Sequence, residues 1–273
     1  MNAFSAPELA IDVHPARYLL NRVALVLGGG SGLGRAIARA YVREGAAVVV
    51  GDLNEAAGVE TLDVAEGRDR VLALRSDVAE PASTAQAVDA AVARFGRLDI
   101  LVNCAAICLV DPFDAVTPER WDRVFDLNAR GAFFAMQAAA KAMIPRKFGR
   151  ILQISSPASK MGFPLFASYG ASKAAVDSMV RSAALAWGPH GITVNSIVPG
   201  RMTGGMIGGL EADLARVTGK SAEELRAART QGLPLGRRVD ADEVAAAAVW
   251  LASDAAGYVT GSRFNFTGGM ELS

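Results

Sequence analysis

The 273-residue sequence has little of what several classes of site require. It contains two cysteines, Cys104 and Cys108, and two histidines, His14 and His190, which stand far apart in the chain. Two cysteines without clustered histidines cannot complete a zinc site, so we expect no metal. Lys plus Arg and Asp plus Glu both number 28, so the formal net charge is zero. That balance argues against a nucleic-acid partner, for which a basic face is expected.

Long hydrophobic runs are also missing. No stretch reaches the roughly eighteen uninterrupted apolar residues of a membrane helix, and no positive segment followed by an apolar one begins the chain. We therefore expect a soluble, cytoplasmic protein with no membrane partner. Structural disulfides are unusual in that compartment, so Cys104 and Cys108 are expected to be buried, inert thiols. A redox or substrate-contact role is the alternative.

What the sequence has in quantity is apolar residues, at 51%, and glycine, at 28 residues. Short apolar runs alternate with helical patterns, which is typical of a parallel sheet covered by helices on both faces. The predicted fold class is α/β, a single Rossmann-type doubly wound domain with a seven-stranded parallel sheet. We assign residues 1–20 to an N-terminal extension and 21–273 to this domain. Strands are predicted at 22–27, 46–52, 70–74, 98–103, 149–155, 192–198 and 263–266, and helices include 55–66, 118–128 and 131–144.

A glycine-rich turn follows the first predicted strand directly. Gly28, Gly32 and Gly34 stand between that strand and a helical pattern. This order places backbone N–H groups and the positive end of a helix dipole at one point, which suits a pyrophosphate. The turn therefore indicates a dinucleotide site.

The second predicted strand ends at Asp52, eighteen residues after Gly34. At about this distance an acidic residue accepts hydrogen bonds from the adenosine ribose of NAD. A 2′-phosphate would meet like charge there, and neither Ser31 nor Leu53 is basic. We therefore predict NAD rather than NADP. The alternative is that Asp52 is an ordinary turn former at a strand end.

Tyr169 and Lys173 stand four residues apart in a predicted helix and so share one face. A charged lysine favours the phenolate and lowers the pKa of the tyrosine, which makes Tyr169 a candidate acid/base. Spacing alone leaves open an exposed Tyr/Lys pair without function.

Taken in order, these motifs resemble those of the short-chain dehydrogenase/reductase family, over about residues 21–269. Its catalytic positions match Asn128, Ser156, Tyr169 and Lys173, with Ser156 thirteen residues before the tyrosine. Thr203 lies one residue before the position at which the family usually has threonine, and we expect it to reach the cofactor. Motif and resemblance together imply cofactor contacts at Gly28, Ser31, Gly32, Leu33, Gly34, Asp52, Leu53, Asp77, Val78, Asn103, Ala105, Tyr169, Lys173, Pro199, Gly200, Met202 and Thr203.

The resemblance implies hydride transfer between a secondary alcohol and NAD. Tyr169 is then the base, Lys173 lowers its pKa and holds the nicotinamide ribose, Ser156 binds the substrate oxygen, and Asn128 supports a water relay. A polyol, sugar or hydroxy acid is the favoured substrate, and a 3-oxoacyl thioester reductase is the runner-up. A catalytically silent NAD-sensing protein is the alternative of another class.

Two further expectations concern surfaces. The insertion at about 201–238 carries several glycines and two amphipathic helical patterns, which predicts a substrate lid, or else a surface insertion without a role. The apolar helices at 131–144 and 174–187 suit packing between subunits, and with the resemblance they predict a homotetramer. The alternative is that their apolar faces belong to the internal core.

Overall fold

The computed structural model describes residues 17–63, 68–204 and 207–272. Strands and helices alternate along the chain, as the apolar runs predict. The strands are β1 (Val23–Leu27), β2 (Ala47–Asp52), β3 (Val71–Arg75), β4 (Ile100–Asn103), β5 (Gly149–Ile154), β6 (Ile192–Pro199) and β7 (Arg263–Phe266). The helices are α1 (Gly32–Arg43), α2 (Glu55–Leu62), α3 (Pro81–Phe95), α4 (Pro118–Phe125), α5 (Ala132–Met143), α6 (Ala167–Trp187), α7 (Ile207–Thr218), α8 (Ala222–Thr230) and α9 (Ala241–Ala252).

The strands form one seven-stranded sheet in the order β3-β2-β1-β4-β5-β6-β7, and every neighbouring pair is parallel. This arrangement confirms the predicted α/β class. The order reverses between β1 and β4, and ligands of open α/β sheets bind in the crevice outside the carboxyl ends of the strands at such a point.

Two hydrophobic cores lie on the two faces of the sheet. One packs α1 and α9 against β1 and β2, and the other packs α3, α5 and α6 against β1, β4 and β5. Strands buried on both faces are apolar throughout, as in β1, whose five residues are all buried. Leu19 is also fully buried in the first core, so the packed domain starts before residue 21. Residues 1–16 of the predicted extension lie outside the described part of the chain.

The largest departure from prediction lies between α4 and α5. The predicted helix 118–128 ends as an α-helix at Phe125, and a π-helical turn, Asp126–Gly131, then runs directly into α5. The second predicted helix, 55–66, ends at Leu62. No helix within the described ranges is long and apolar enough to cross a membrane.

The insertion at 201–238 contains α7 and α8, and we call these residues the lid. Ser221 and Glu224 form the capping box that their spacing predicts, with the Ser221 hydroxyl accepting from the Glu224 N–H at 3.2 Å. Residues 205 and 206 of the lid lie outside the described residues.

Candidate active site

A cavity of about 600 Å³ opens at the carboxyl edge of the sheet. Each of the first six strands contributes a residue to its wall at or just after its last position, because parallel strands end at the same edge. These residues are Gly28, Asp52, Ser76, Cys104, Ser155 and Pro199. The lid covers one side, and Met270 follows β7 on the wall.

Most of the residues predicted from the sequence lie along this cavity. Those on its wall are Gly28, Ser31, Gly32, Leu33, Gly34, Asp52, Leu53, Val78, Ala105, Ser156, Tyr169, Pro199, Gly200 and Met202. Five do not line it: Asp77, Asn103, Asn128, Lys173 and Thr203.

The glycine turn is shaped so that a ligand can approach its backbone. A Cβ on Gly34 would lie 2.1 Å from the Gly28 carbonyl oxygen, so only glycine allows this packing. Helix α1 begins without a side-chain cap and without an acidic residue in its first turn. Its first N–H groups are therefore available to an anion, as a pyrophosphate requires.

Asp52 is held rigidly at one end of the cavity. Its Oδ2 accepts from the Gly30 N–H at 2.8 Å, and its Oδ1 accepts from the Asn54 N–H at 3.0 Å. The two arginines on the cavity wall, Arg201 and Arg229, belong to the lid. The residues of the glycine turn and Asp52 thus fit a dinucleotide.

Tyr169 is on α6 and Ser156 follows β5, and both line the cavity. Burial raises the pKa of Tyr169 above its ordinary value, while the neighbouring Ser156 hydroxyl acts in the opposite direction. The prediction that the pKa of Tyr169 is lowered is therefore wrong for the chain alone. Tyr169 holds its proton at neutral pH in this state.

Lys173 is buried, and its ammonium lies 5.7 Å from the centre of the Tyr169 ring. Its Nζ donates to the Ile154 carbonyl at 2.7 Å. Burial lowers the pKa of Lys173 to about 8, against the opposing effect of acidic neighbours that include Asp177. Lys173 thus lies beside Tyr169, but neighbouring groups stabilise its positive charge only weakly.

Asn128 lies in the π-helical turn and is buried. Its amide bonds both backbone groups of Ile107: Oδ1 accepts from the N–H at 2.9 Å, and Nδ2 donates to the carbonyl at 2.8 Å. Nδ2 also donates to the Ser172 hydroxyl at 3.1 Å, which donates to the Tyr169 carbonyl at 2.7 Å. Asn128 therefore links the loop after β4 to the helix that carries the tyrosine. π-helical turns are frequent at functional sites.

Three predicted cofactor residues have other partners in the structure. The Asn103 amide spans Gln153 and the Ala105 N–H, so it fixes the end of β4. Asp77 accepts from the Ala79 N–H. The Thr203 hydroxyl donates to Asp240 at 3.3 Å, and its side chain is exposed. The structure does not bring Thr203 to the cavity.

Sequence reasoning missed several wall residues. Ser76, Leu127 and Met270 were not singled out, and Arg229 lay unnoticed within the predicted lid. Helical spacing could have found Arg229, because it stands four residues after Leu225 on α8 and shares its face. No sequence signal marks the others.

Cys104 and Cys108 are free, half-buried and on the cavity wall. Burial raises the pKa of each thiol to about 12. Both therefore stay protonated at neutral pH, where a thiol is a poor nucleophile. Their position makes them part of the wall, and their chemistry is that of small apolar groups.

Comparisons with known proteins show what this chain resembles. A family profile described as enoyl-(acyl carrier protein) reductase matches residues 28–271. Galactitol 2-dehydrogenase from Agrobacterium fabrum is 38% identical over 256 residues, which cover 93% of this chain and 99% of that protein. Sorbitol dehydrogenase from Cereibacter sphaeroides is 38% identical over 253 residues, covering 92% and 98%. The crystal structure of levodione reductase superimposes with a TM-score of 0.84 at 31% identity, over 92% of this chain and 98% of that one.

Fold, site and relatives together define a nicotinamide-dependent oxidoreductase. The chain belongs to the short-chain dehydrogenase/reductase family. It is an enzyme of the class that acts on CH–OH donors with NAD or NADP.

Burial of Lys173 predicts a measurable penalty in stability. Its folded-state pKa of about 8 lies below the ordinary 10.5, so between these values the unfolded chain binds more protons than the folded one. This group therefore makes the free energy of unfolding rise with pH across that window, and its penalty is full below about pH 8. We expect Lys173→Met to raise the free energy of unfolding at pH 7, by on the order of 1–3 kcal/mol.

The measurement is urea unfolding without cofactor at pH 7 and pH 10, for wild type and variant. The gain should shrink at pH 10, and comparing the two proteins removes the effects of other titrating groups. Lys141→Met, on the exposed side of α5, controls for the loss of a lysine. A variant that is less stable than wild type at pH 7 would contradict the assigned penalty.

Proposed function

We propose that this enzyme oxidises a secondary alcohol of a polyol, sugar or hydroxy acid to the ketone, with NAD as its cofactor. One observation carries the proposal. The Tyr169 phenol and the Ser156 hydroxyl are neighbours and line the same cavity as the glycine turn and Asp52. The names of the relatives, galactitol 2-dehydrogenase and sorbitol dehydrogenase, support alcohols of this kind.

The chain's own residues supply the proton chemistry. Ser156 donates a hydrogen bond to the substrate oxygen and so stabilises the negative charge that develops there. Tyr169 takes the hydroxyl proton, and it needs a lower pKa than burial alone gives it. Lys173 supplies a positive charge beside the ring, and Asn128 fixes the helix backbone under the tyrosine. A water relay beside Lys173 stays a prediction.

A bound nicotinamide would supply the acceptor for the hydride of the carbinol carbon, and its positive charge would favour the phenolate. The glycine turn would hold the pyrophosphate, and Asp52 the adenosine ribose. Pro199, Gly200 and Met202 would flank the nicotinamide. Lys173 would hold the second ribose in place of its present bond to Ile154.

Two alternative functions can be distinguished from this one by an activity assay. A 3-oxoacyl thioester reductase would reduce the 3-oxo group of an acyl thioester to a hydroxyl, and we would expect it to prefer NADPH. A silent NAD-sensing protein would bind NAD and turn over no alcohol. The assembled Ser156, Tyr169 and Lys173 favour catalysis over the silent alternative, since these are the groups that hydride-transfer chemistry needs.

Tyr169→Phe tests the assigned base. The change removes one hydroxyl, so folding and NAD binding should stay close to wild type. In contrast, kcat should fall by about 10²- to 10⁴-fold, the contribution of a positioned proton-transfer group. Tyr258→Phe is the matched control, because that side chain is fully exposed on the surface. Steady-state kinetics on a panel of polyols, together with calorimetric titration of NAD, gives both quantities. Wild-type turnover by Tyr169→Phe would overturn the assignment.

Asp52 predicts the choice of cofactor. The fixed carboxylate would repel a 2′-phosphate, and like charges in contact cost several kcal/mol, so kcat/KM should favour NAD over NADP by about 100-fold or more. Asp52→Ala should narrow that ratio by at least about 10-fold. Glu55→Ala removes a neighbouring carboxylate that does not line the cavity and should leave the ratio unchanged. Equal kcat/KM for both cofactors in wild type would refute the preference.

A homotetramer and a cytoplasmic location complete the proposal. Large apolar side chains are exposed on α5 and α6: Phe133 is 43% and Leu185 is 82% accessible. A second copy of the chain would bury them. We expect light scattering at micromolar concentration to give four times the chain mass. A stable, active monomer would contradict it.

A further inference from the structure

The lid closes the cavity beyond Ser156 and Tyr169 with a wall that is mostly apolar. Leu210 and Leu214 of α7 and Leu225 of α8 face it, together with Phe166 before α6. Arg229 of α8 stands among these apolar side chains on the same wall. An arginine in such a place either has a partner within the protein or binds something that enters the cavity.

Arg229 has no partner within the described ranges of the chain. Its Nε is buried and makes no hydrogen bond, and no ion pair of its guanidinium occurs there. A buried polar group without a partner is costly, and a charged one more so. This is the feature of the cavity that the proposed reaction does not use.

Glu211 is the carboxylate whose charge acts on Arg229, and it is already engaged by two other arginines. Glu211, the buried carboxylate of the lid, accepts from Arg226 Nε at 3.0 Å and from Arg238 Nη1 at 3.1 Å. Asp213 pairs with Arg216 at 3.5 Å, and Asp111 Oδ1 pairs with Arg120 at 2.8 Å, while its Oδ2 is buried without a hydrogen bond. None of these carboxylates pairs with Arg229 in the described part of the chain.

The second arginine on the cavity wall, Arg201, adds to this excess. Its Nη1 donates to a carbonyl, that of Ala228, at 3.2 Å, and among the described residues it has no carboxylate partner. Burial, followed by the charges of Arg201 and Arg238, lowers the pKa of Arg229, and Glu211 only partly opposes this. Burial and Arg238 likewise lower the pKa of Arg201. An anion between the two guanidinium groups would relieve both.

We propose that the substrate is a hydroxy acid whose carboxylate binds Arg229 and Arg201 while its carbinol lies at Ser156 and Tyr169. This inference rests on the proposed function and narrows its substrate class. A planar guanidinium matches a carboxylate with two parallel hydrogen bonds. The leucines and Phe166 on the same wall suit a hydrocarbon chain better than the many hydroxyls of a sugar alcohol.

Matched substrates test the carboxylate directly. We would compare 4-hydroxyvalerate with 1,4-pentanediol, and 3-hydroxybutyrate with 1,3-butanediol, since each pair differs in a carboxylate against a CH₂OH group. Wild type should have the higher kcat/KM on the acids. Arg229→Met should lower kcat/KM on the acids by about 10- to 100-fold, the range for hydrogen bonds to a charged group, and should lower it much less on the diols.

A control variant distinguishes direct binding of the carboxylate by Arg229 from the general electrostatic effect of a positive charge in the lid. Arg216→Met removes one positive charge from α7, where the side chain is exposed and does not line the cavity. It should leave the kcat/KM ratio of acid to diol unchanged. Equal losses on the acids in the two variants would overturn the proposal, because the effect would then come from the overall field. Arg229→Lys should retain part of the preference for acids over diols, since it keeps the positive charge but loses the planar guanidinium that makes two parallel hydrogen bonds.

A binding measurement keeps the site testable apart from turnover. Calorimetric titration of butyrate and of butyramide into the wild-type protein with NAD should show tighter binding of butyrate, and Arg229→Met should abolish the difference. Equal binding of the two by wild type would overturn the carboxylate site, even if polyols were oxidised well. Butyrate bound through Arg229 by a protein that oxidises no alcohol would support the site and refute the proposed function.

Discussion

The buried amide of Asn128 is the constraint on which the rest of the site depends. Through its bonds to Ile107 it holds the loop after β4, and through Ser172 it holds the backbone of α6 at Tyr169. A single planar group with two acceptor and two donor sites bonds both segments, so the loop after β4 and the helix that carries Tyr169 keep a fixed relation.

That amide reaches its partners because the helix carrying it is locally widened. Asn128 lies in the π-helical turn between α4 and α5, and the same turn ends at Gly131. A Cβ on Gly131 would lie 2.3 Å from the Val78 carbonyl oxygen, so the turn also packs closely on a segment that lines the cavity. One irregular turn therefore joins the helix that carries Tyr169, the loop after β4 and that segment. The lid, in contrast, is held mainly by the ion pairs around Glu211 and by a small apolar cluster.

The sequence predicts the sheet and most of the cavity wall because both depend on local patterns. Short apolar runs give strands such as β1, and parallel strands bring Gly28, Asp52 and Pro199 to one edge without any knowledge of packing. The π-helical turn was not predictable, since the residues around Asn128 read as ordinary helix. The direction of the Tyr169 pKa was also missed, because spacing identifies Lys173 as a neighbour but does not give the degree of burial.

The electrostatic states that sequence reasoning predicts least well have one cause, because burial shifts each of these groups away from its behaviour in water. Lys173 is a buried ammonium with one carbonyl acceptor, and Tyr169 keeps its proton because of burial. Arg229 is a guanidinium without an acceptor among the described residues. A ligand that binds only the folded state and relieves such groups stabilises the protein by mass action. Burial makes the charged forms of these groups unfavourable in the chain alone. It also makes ligand binding selective, because only a ligand with charge and hydrogen-bonding atoms at matching positions can stabilise these groups together.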